Sequence, residues 1–152
     1  MDFLKRGFEY DLWANTRWLE YLLKAEIGEP DRSIFQHILA SQVTWALRCE
    51  GTSVTEMPKP ELVQSTLVEI NTKWLSLLET MNPEEMITYK RTTGEAAKMQ
   101  FSWMAQHVIN HATYHRGELR GLCRARNDME FPDTDIASYA FVAGGAEKNL
   151  SF

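Results

Sequence analysis

The fold is decided by the stretch Gln106-His107-Val108-Ile109-Asn110-His111-Ala112-Thr113-Tyr114-His115-Arg116-Gly117. Its three histidines recur at i, i+4 and i+8, close to one helical turn per step. Val108, Ile109 and Ala112 indicate that this helix is substantially buried. Ser102 is a candidate N-cap, and the segment reads as helical to about Asn127.

Three more long segments share this texture. The first runs from about Asp2 to Glu26, with Phe8, Leu12, Leu19, Leu22 and Leu23 recurring as on one helix face. Asp2 is its candidate N-cap, and Gly28 with Pro30 ends it. The second runs from about Ser33 to Glu50, with Asp31 or Ser33 as cap and Gly51 just past its end. The third follows Pro58 and Pro60 and runs from about Glu61 to Met81, carrying the stripe Leu67, Ile70, Trp74, Leu77 and Met81. Asn82-Pro83 stops it.

Between the third and fourth segments, Met86 to Gly94 holds β-formers and a glycine turn signal, which predicts a short hairpin or extended loop. A short fifth helix is expected from Asp133 to Val142, after Pro132. Helices of about 16 to 25 residues exceed the usual mean of about 11 to 12 and pack as bundles. The expectation is therefore an all-α protein: a four-helix bundle with a hairpin or loop before helix four and a short C-terminal helix. Gly51 to Lys59 is long enough for a crossover, while the order and handedness of the bundle stay open.

Composition bounds the function. The 152 residues fit one domain, taken as 1–152, and a hydrophobic share of 44% is enough for a core. With 16 Lys+Arg against 21 Asp+Glu the net charge is −5, and the pI near 5.4 argues against a protein devoted to nucleic acid. Arg116, Arg120, Arg124 and Arg126 do crowd the end of helix four, where cations complement the helix dipole without further purpose. No apolar signal core opens the chain, and no stretch approaches the roughly 18 apolar residues of a membrane span. A cytoplasmic protein with Cys49 and Cys123 reduced is expected, with no membrane partner.

The histidines carry the chemistry. Two imidazoles at i and i+4 can converge on one metal ion, whereas His107 and His115 lie about 12 Å apart along the helix axis. One adjacent pair should bind, and spacing alone does not choose between His107/His111 and His111/His115. No glutamate follows the first histidine, so this is not a zincin motif. His37 is the remaining histidine, on the second helix among Ile34, Ile38 and Ser41. A lone histidine on an apolar face is more often a satisfied core residue. Here every histidine falls on an inward face, which makes a three-histidine site between helices two and four reasonable.

These residues resemble a known family. Tyr10-Asp11-Leu12-Trp13-Ala14-Asn15-Thr16-Arg17 is similar to the opening-helix signature of the DinB/YfiT-like metalloenzymes, and Phe35-Gln36-His37-Ile38-Leu39 to their second-helix histidine segment. His107 to Leu119 resembles their fourth-helix signature, the most specific piece, and Pro132 with Asp135 resembles their proline and aspartate before the terminal helix. The resemblance implies a four-helix bundle with a divalent metal, nickel or zinc, held by His37, His111 and His115. It also implies a homodimer. Characterised members of the wider superfamily are S-transferases and isomerases that use low-molecular-weight thiols.

Three histidines leave a coordination position open, the mark of a catalytic metal site. Such a metal lowers the pKa of a bound water or thiol. Cys49 lies about 18 Å along its helix from His37, and Cys123 about 12 Å from His115, so any thiol must come from outside. A small-molecule substrate is implied. Around the site, Tyr10, Trp13, Trp45 and Tyr114 are candidate pocket aromatics, His107 a candidate supporting residue, and Asn15 a candidate hydrogen-bonding residue. Arg116 could hold a carboxylate of a thiol cofactor, although a surface or inter-subunit pairing is the stronger expectation. No general base stands out. The rival reading is a non-catalytic, dimeric, stress-related bundle that binds metal or a small ligand.

Overall fold

The computed structural model describes residues 1–147, in the order α1 (Asp2–Lys24), α2 (Asp31–Cys49), α3 (Gln64–Thr80), β1 (Met86–Lys90), β2 (Ala96–Gln100), α4 (Phe101–Ala125) and α5 (Ile136–Val142). The apolar stripe of α3 places Leu67, Ile70, Trp74, Leu77 and Leu78 in the core. The expected hairpin forms, with Met86 opposite Gln100 and Lys90 opposite Ala96 in an antiparallel ladder. Among the described residues no helix is long and apolar enough to cross a membrane.

α1 packs chiefly on α3 and α2 on α4, with lesser α1–α4 and α2–α3 contacts, so α1 and α2 stand diagonally in the four-helix bundle. Contacts fix the directions. Gly7 meets Ile109 and Tyr21 meets Cys123, so α1 and α4 run parallel. His37 meets His115 while Trp45 meets His107, so α2 and α4 run antiparallel. Phe8 stacks on Trp74 while Gln64 bonds Thr16, so α1 and α3 run antiparallel. It follows that α2 and α3 are parallel. A parallel pair needs a connection that returns the length of a helix, and the segment from Gly51 to Lys59 lies within it.

The starts of all five helices correct expectations. Asp2, Asp31 and Ser102 sit inside the first turns; the cap positions belong to Met1, Pro30 and Gln100, none with a side-chain cap bond. Asp31 is diverted to Arg126, which donates to it at 2.6 and 3.1 Å, while the Ser33 N–H donates to Glu29. At α4 the orphan N–H groups of Phe101 and Ser102 donate to the carbonyls of Glu85 and Pro83, because β2 runs straight into the helix. α3 begins three residues later than Glu61; Gln36 donates to the Pro60 carbonyl and holds that segment along α2. α5 is shorter than expected and starts after Asp135, whose carboxylate caps Ala137. Leu23, expected on the inward face, is exposed.

The core is aromatic. Phe8, Trp18, Phe35, Trp74 and Phe101 are among its largest fully buried side chains, and the Phe8 and Trp74 rings stack at 4.9 Å. The Trp74 indole N–H donates to the Gln42 carbonyl at 3.2 Å, which satisfies its one polar atom. α1 approaches α4 closely at Gly7, where a Cβ would stand 2.6 Å from Ile109 Cδ1.

Candidate metal centre

α2 and α4 cross their histidines at one level. His37 lies 5.1 Å from His111 and 4.8 Å from His115, centroid to centroid, and His111 and His115 are 4.5 Å apart. One ring nitrogen from each of His37, His111 and His115 falls within 4.8 Å of the others. Bonds of about 2.0 to 2.1 Å to one tetrahedral ion would require nitrogens about 3.3 Å apart, so the rings would have to turn inward on binding. His107 is not a member of this group. Its ring sits 5.3 Å from His111 and 4.9 Å from Trp45, one turn farther along.

The electrostatics suit a cation's ligands. All three imidazoles are half-buried. Burial, reinforced by the neighbouring histidines, lowers the His111 pKa to about 4. Burial and then His115 lower that of His37, partly offset by Glu118. These rings are therefore neutral near pH 7, the form that binds metal. His107 is lowered as well, by burial and by Arg48. The donor set thus fits a divalent cation: three imidazole nitrogens from two helices, on rings that are only half-buried.

Glu118 completes the arrangement, a residue for which the sequence reading gave no role. Its Oε2 lies 2.8 Å from His115 Nδ1, which leaves Nε2 of that ring to face a metal. A carboxylate behind a histidine ligand fixes the ring's orientation and raises its basicity. The i,i+3 spacing of His115 and Glu118 was a usable signal.

Other candidates fall in different places. Arg116 is buried and donates to Asp11 and Asn15 at 2.6 and 2.7 Å and to Thr113 at 2.9 Å. Its pairing is internal, not at a surface or between subunits. Asn15 is buried in the same network, donating to Asp11 at 2.9 Å, and Gln42 joins from α2. Tyr114 is 72% exposed, with its ring edge-on to His115 at 5.1 Å. Tyr10 and Trp13 pack with Tyr139 of α5, away from the histidines. Trp45 lies against His107 and Tyr89. Both cysteines are buried and free. The arginine-rich end of α4 is also occupied, since Arg126 pairs with Asp31 while Arg120 and Arg124 lie over Phe131.

The sequence has counterparts among known proteins. The DinB superfamily model matches residues 13–119, which span α1 through most of α4 and all three clustered histidines. The chain belongs to the DinB superfamily. It is also similar to the protein DinB of Bacillus subtilis (strain 168), with 23% identity over 165 residues that cover 93% of this chain and 95% of the relative. No solved structure is a significant match. Membership and the histidine cluster together fit a metal-binding protein of the DinB type.

A cavity of about 820 Å³ lies on the other flank of α4, where Tyr10, Trp18, Ile109, Arg116 and Tyr139 are among the residues that line it; no histidine does. Volume and chemistry therefore point to different faces of this DinB-type bundle. The metal reading follows the donor set, because coordination is set by nitrogen geometry and not by empty space.

Proposed function

We propose that the chain, as one domain over residues 1–152, is a divalent-metal-dependent enzyme. His37, His111 and His115 would hold the ion, and nickel or zinc suits three imidazoles. A bound ion supplies an open position at which water or an external low-molecular-weight thiol loses its proton near neutral pH, for transfer to a small electrophile. The observation that carries this reading is the convergence of three imidazoles, ring nitrogens within 4.8 Å, from two helices. An external thiol is favoured over a protein one because Cys49 and Cys123 are both buried outside the cluster.

The test is metal analysis of protein purified without a nickel column, followed by a screen of thiols against electrophiles. One ion per chain, lost in His37→Ala, and turnover abolished by His111→Ala are expected. Wild-type protein without metal, or a variant that keeps it, overturns the site.

A second reading is a non-catalytic dimeric bundle that binds metal or a small ligand. It is favoured by the engagement of Glu118, the carboxylate at the cluster, with His115 rather than with a position facing substrate. A homodimer fits either reading, since Phe3 and Ile136 stand exposed beside the α1–α5 cavity. Sedimentation velocity reads the assembly directly. Metal retention without turnover across the screen selects the second reading.

A further inference from the structure

Arg48 is 94% buried, with a relative exposure of 6%, yet among the described residues no carboxylate pairs with it. Its Nε is fully buried without a hydrogen-bond partner. The guanidinium instead sits against an edge-to-face ring pair, its Cζ 4.7 Å from the Trp45 centroid and 5.2 Å from that of Tyr89. The other buried arginine, Arg116, also has an unpartnered Nε, but its charge is met by Asp11 at 2.6 Å. A buried cation without an anion is costly, and stacking on aromatic rings recovers only part of that cost.

The position of Arg48 gives this meaning. Side chains step from the histidine cluster toward it: His111 to His107 at 5.3 Å, His107 to Trp45 at 4.9 Å, and Trp45 to Arg48 at 4.7 Å. Arg48 and His37 share one face of α2, because eleven residues make just over three whole helical turns. The cation thus ends a row of flat side chains that begins at the proposed ion.

We propose that Arg48 is the anion-recognition group of this site, and that the small molecule acted on at the histidines carries a carboxylate or similar oxyanion at its far end. Contact with the Trp45 and Tyr89 rings holds the guanidinium in place without using its N–H groups, which suit a planar, two-oxygen acceptor. Trp45 and His107 then line the span between anion and metal. This inference rests on the metal-enzyme reading above for the reacting end of the ligand, while the anion contact itself is independent of a bound ion.

The experiment uses matched probes. Binding of 6-mercaptohexanoate and 6-mercaptohexanol to cobalt-loaded protein is followed by the thiolate-to-cobalt absorption band. Hexanoate and hexanol are titrated calorimetrically into metal-free protein in parallel. The carboxylate member of each pair is expected to bind about tenfold more tightly. Arg48→Gln should erase that preference while leaving mercaptohexanol binding unchanged, and Arg48→Lys should retain part of it. Melting temperatures confirm that the variants fold, and should Arg48→Gln not fold, Arg48→Lys against wild type still reads the loss. Equal binding of carboxylate and alcohol in wild type, or a preference that survives Arg48→Gln, overturns the proposal. Failure to hold cobalt sinks the metal reading alone, because the hexanoate titration still reports on Arg48.

Discussion

Arg116 Nη1 donates to Asp11 Oδ1 at 2.6 Å, which ties α4 to α1 at the residue next to His115. Both residues are almost fully buried, so neither can fall back on water when the other is removed. Arg116→Met, which strands the Asp11 carboxylate, is expected to cost about 3 to 5 kcal/mol in denaturant unfolding. The double variant Asp11→Leu/Arg116→Met should recover much of that loss, because no uncompensated charge remains. If Arg116→Met unfolds at the wild-type midpoint, the pair is not structural.

Glu118 offers a contrast, being surface-facing and bonded to a proposed ligand. Glu118→Gln is expected to weaken metal binding about 10- to 100-fold while barely moving the unfolding midpoint, since an exposed pair contributes little to stability. Competition with a chromophoric chelator measures the affinity. An unchanged affinity would mean that Glu118 does not orient His115.

The helices and the histidine cluster were legible because their signals are local. Apolar spacing along Leu67, Ile70, Trp74 and Leu77 reports a helix face without knowledge of anything else in the chain. The i,i+4 step of His111 and His115 likewise reports its own geometry. Caps were misread for a definite reason. Asp31 has the chemistry of a cap, but its carboxylate is claimed by Arg126, 95 residues away. Arg116 and Arg48 were illegible in the same way. The partner of Arg116 lies 105 residues distant, and the burial of Arg48 depends on Tyr89 from the hairpin. No local pattern reports either. The choice of His111/His115 over His107/His111 also needed more than spacing, because it depends on how far along α4 the His37 ring arrives.

The pH response of the metal-free protein follows from His111. Its pKa falls from 6.5 in the unfolded chain to about 4 in the fold, chiefly through burial. Between these values the unfolded chain takes up a proton that the folded site refuses. Stability is therefore full above about pH 6.5 and declines as pH falls toward 4. Urea midpoints of chelator-treated protein should drop from pH 7.5 to pH 5, and less so in His111→Gln. A midpoint that rises over this range would contradict the buried, neutral imidazole.

Cysteine reactivity tests the external-thiol requirement. Burial pushes the Cys49 thiol up to about 12, and burial also raises Cys123 despite the Tyr21 hydroxyl and Arg126 beside it. A thiol held protonated and covered is a poor nucleophile. Native protein should react with a disulfide reagent at pH 8 only on the timescale of unfolding, whereas denatured protein should titrate both cysteines at once. Rapid labelling of one cysteine in the native state would bring a protein thiol back into the chemistry.

His107 and His111 are the sharpest pair for testing the site, because they are alike in sequence context and differ in place. The two rings are 5.3 Å apart on one face of α4, and both are half-buried with depressed pKa values. Only His111 has a nitrogen within 4.8 Å of those of His37 and His115. His111→Ala should therefore abolish metal binding, while His107→Ala should keep one ion per chain with affinity changed less than about tenfold, the lower range for groups that support ligands without touching metal. Elemental analysis after dialysis against a weak chelator separates these outcomes. Loss of the ion in His107→Ala, with retention in His115→Ala, would move the site one turn along α4 to the other pair that the spacing allows.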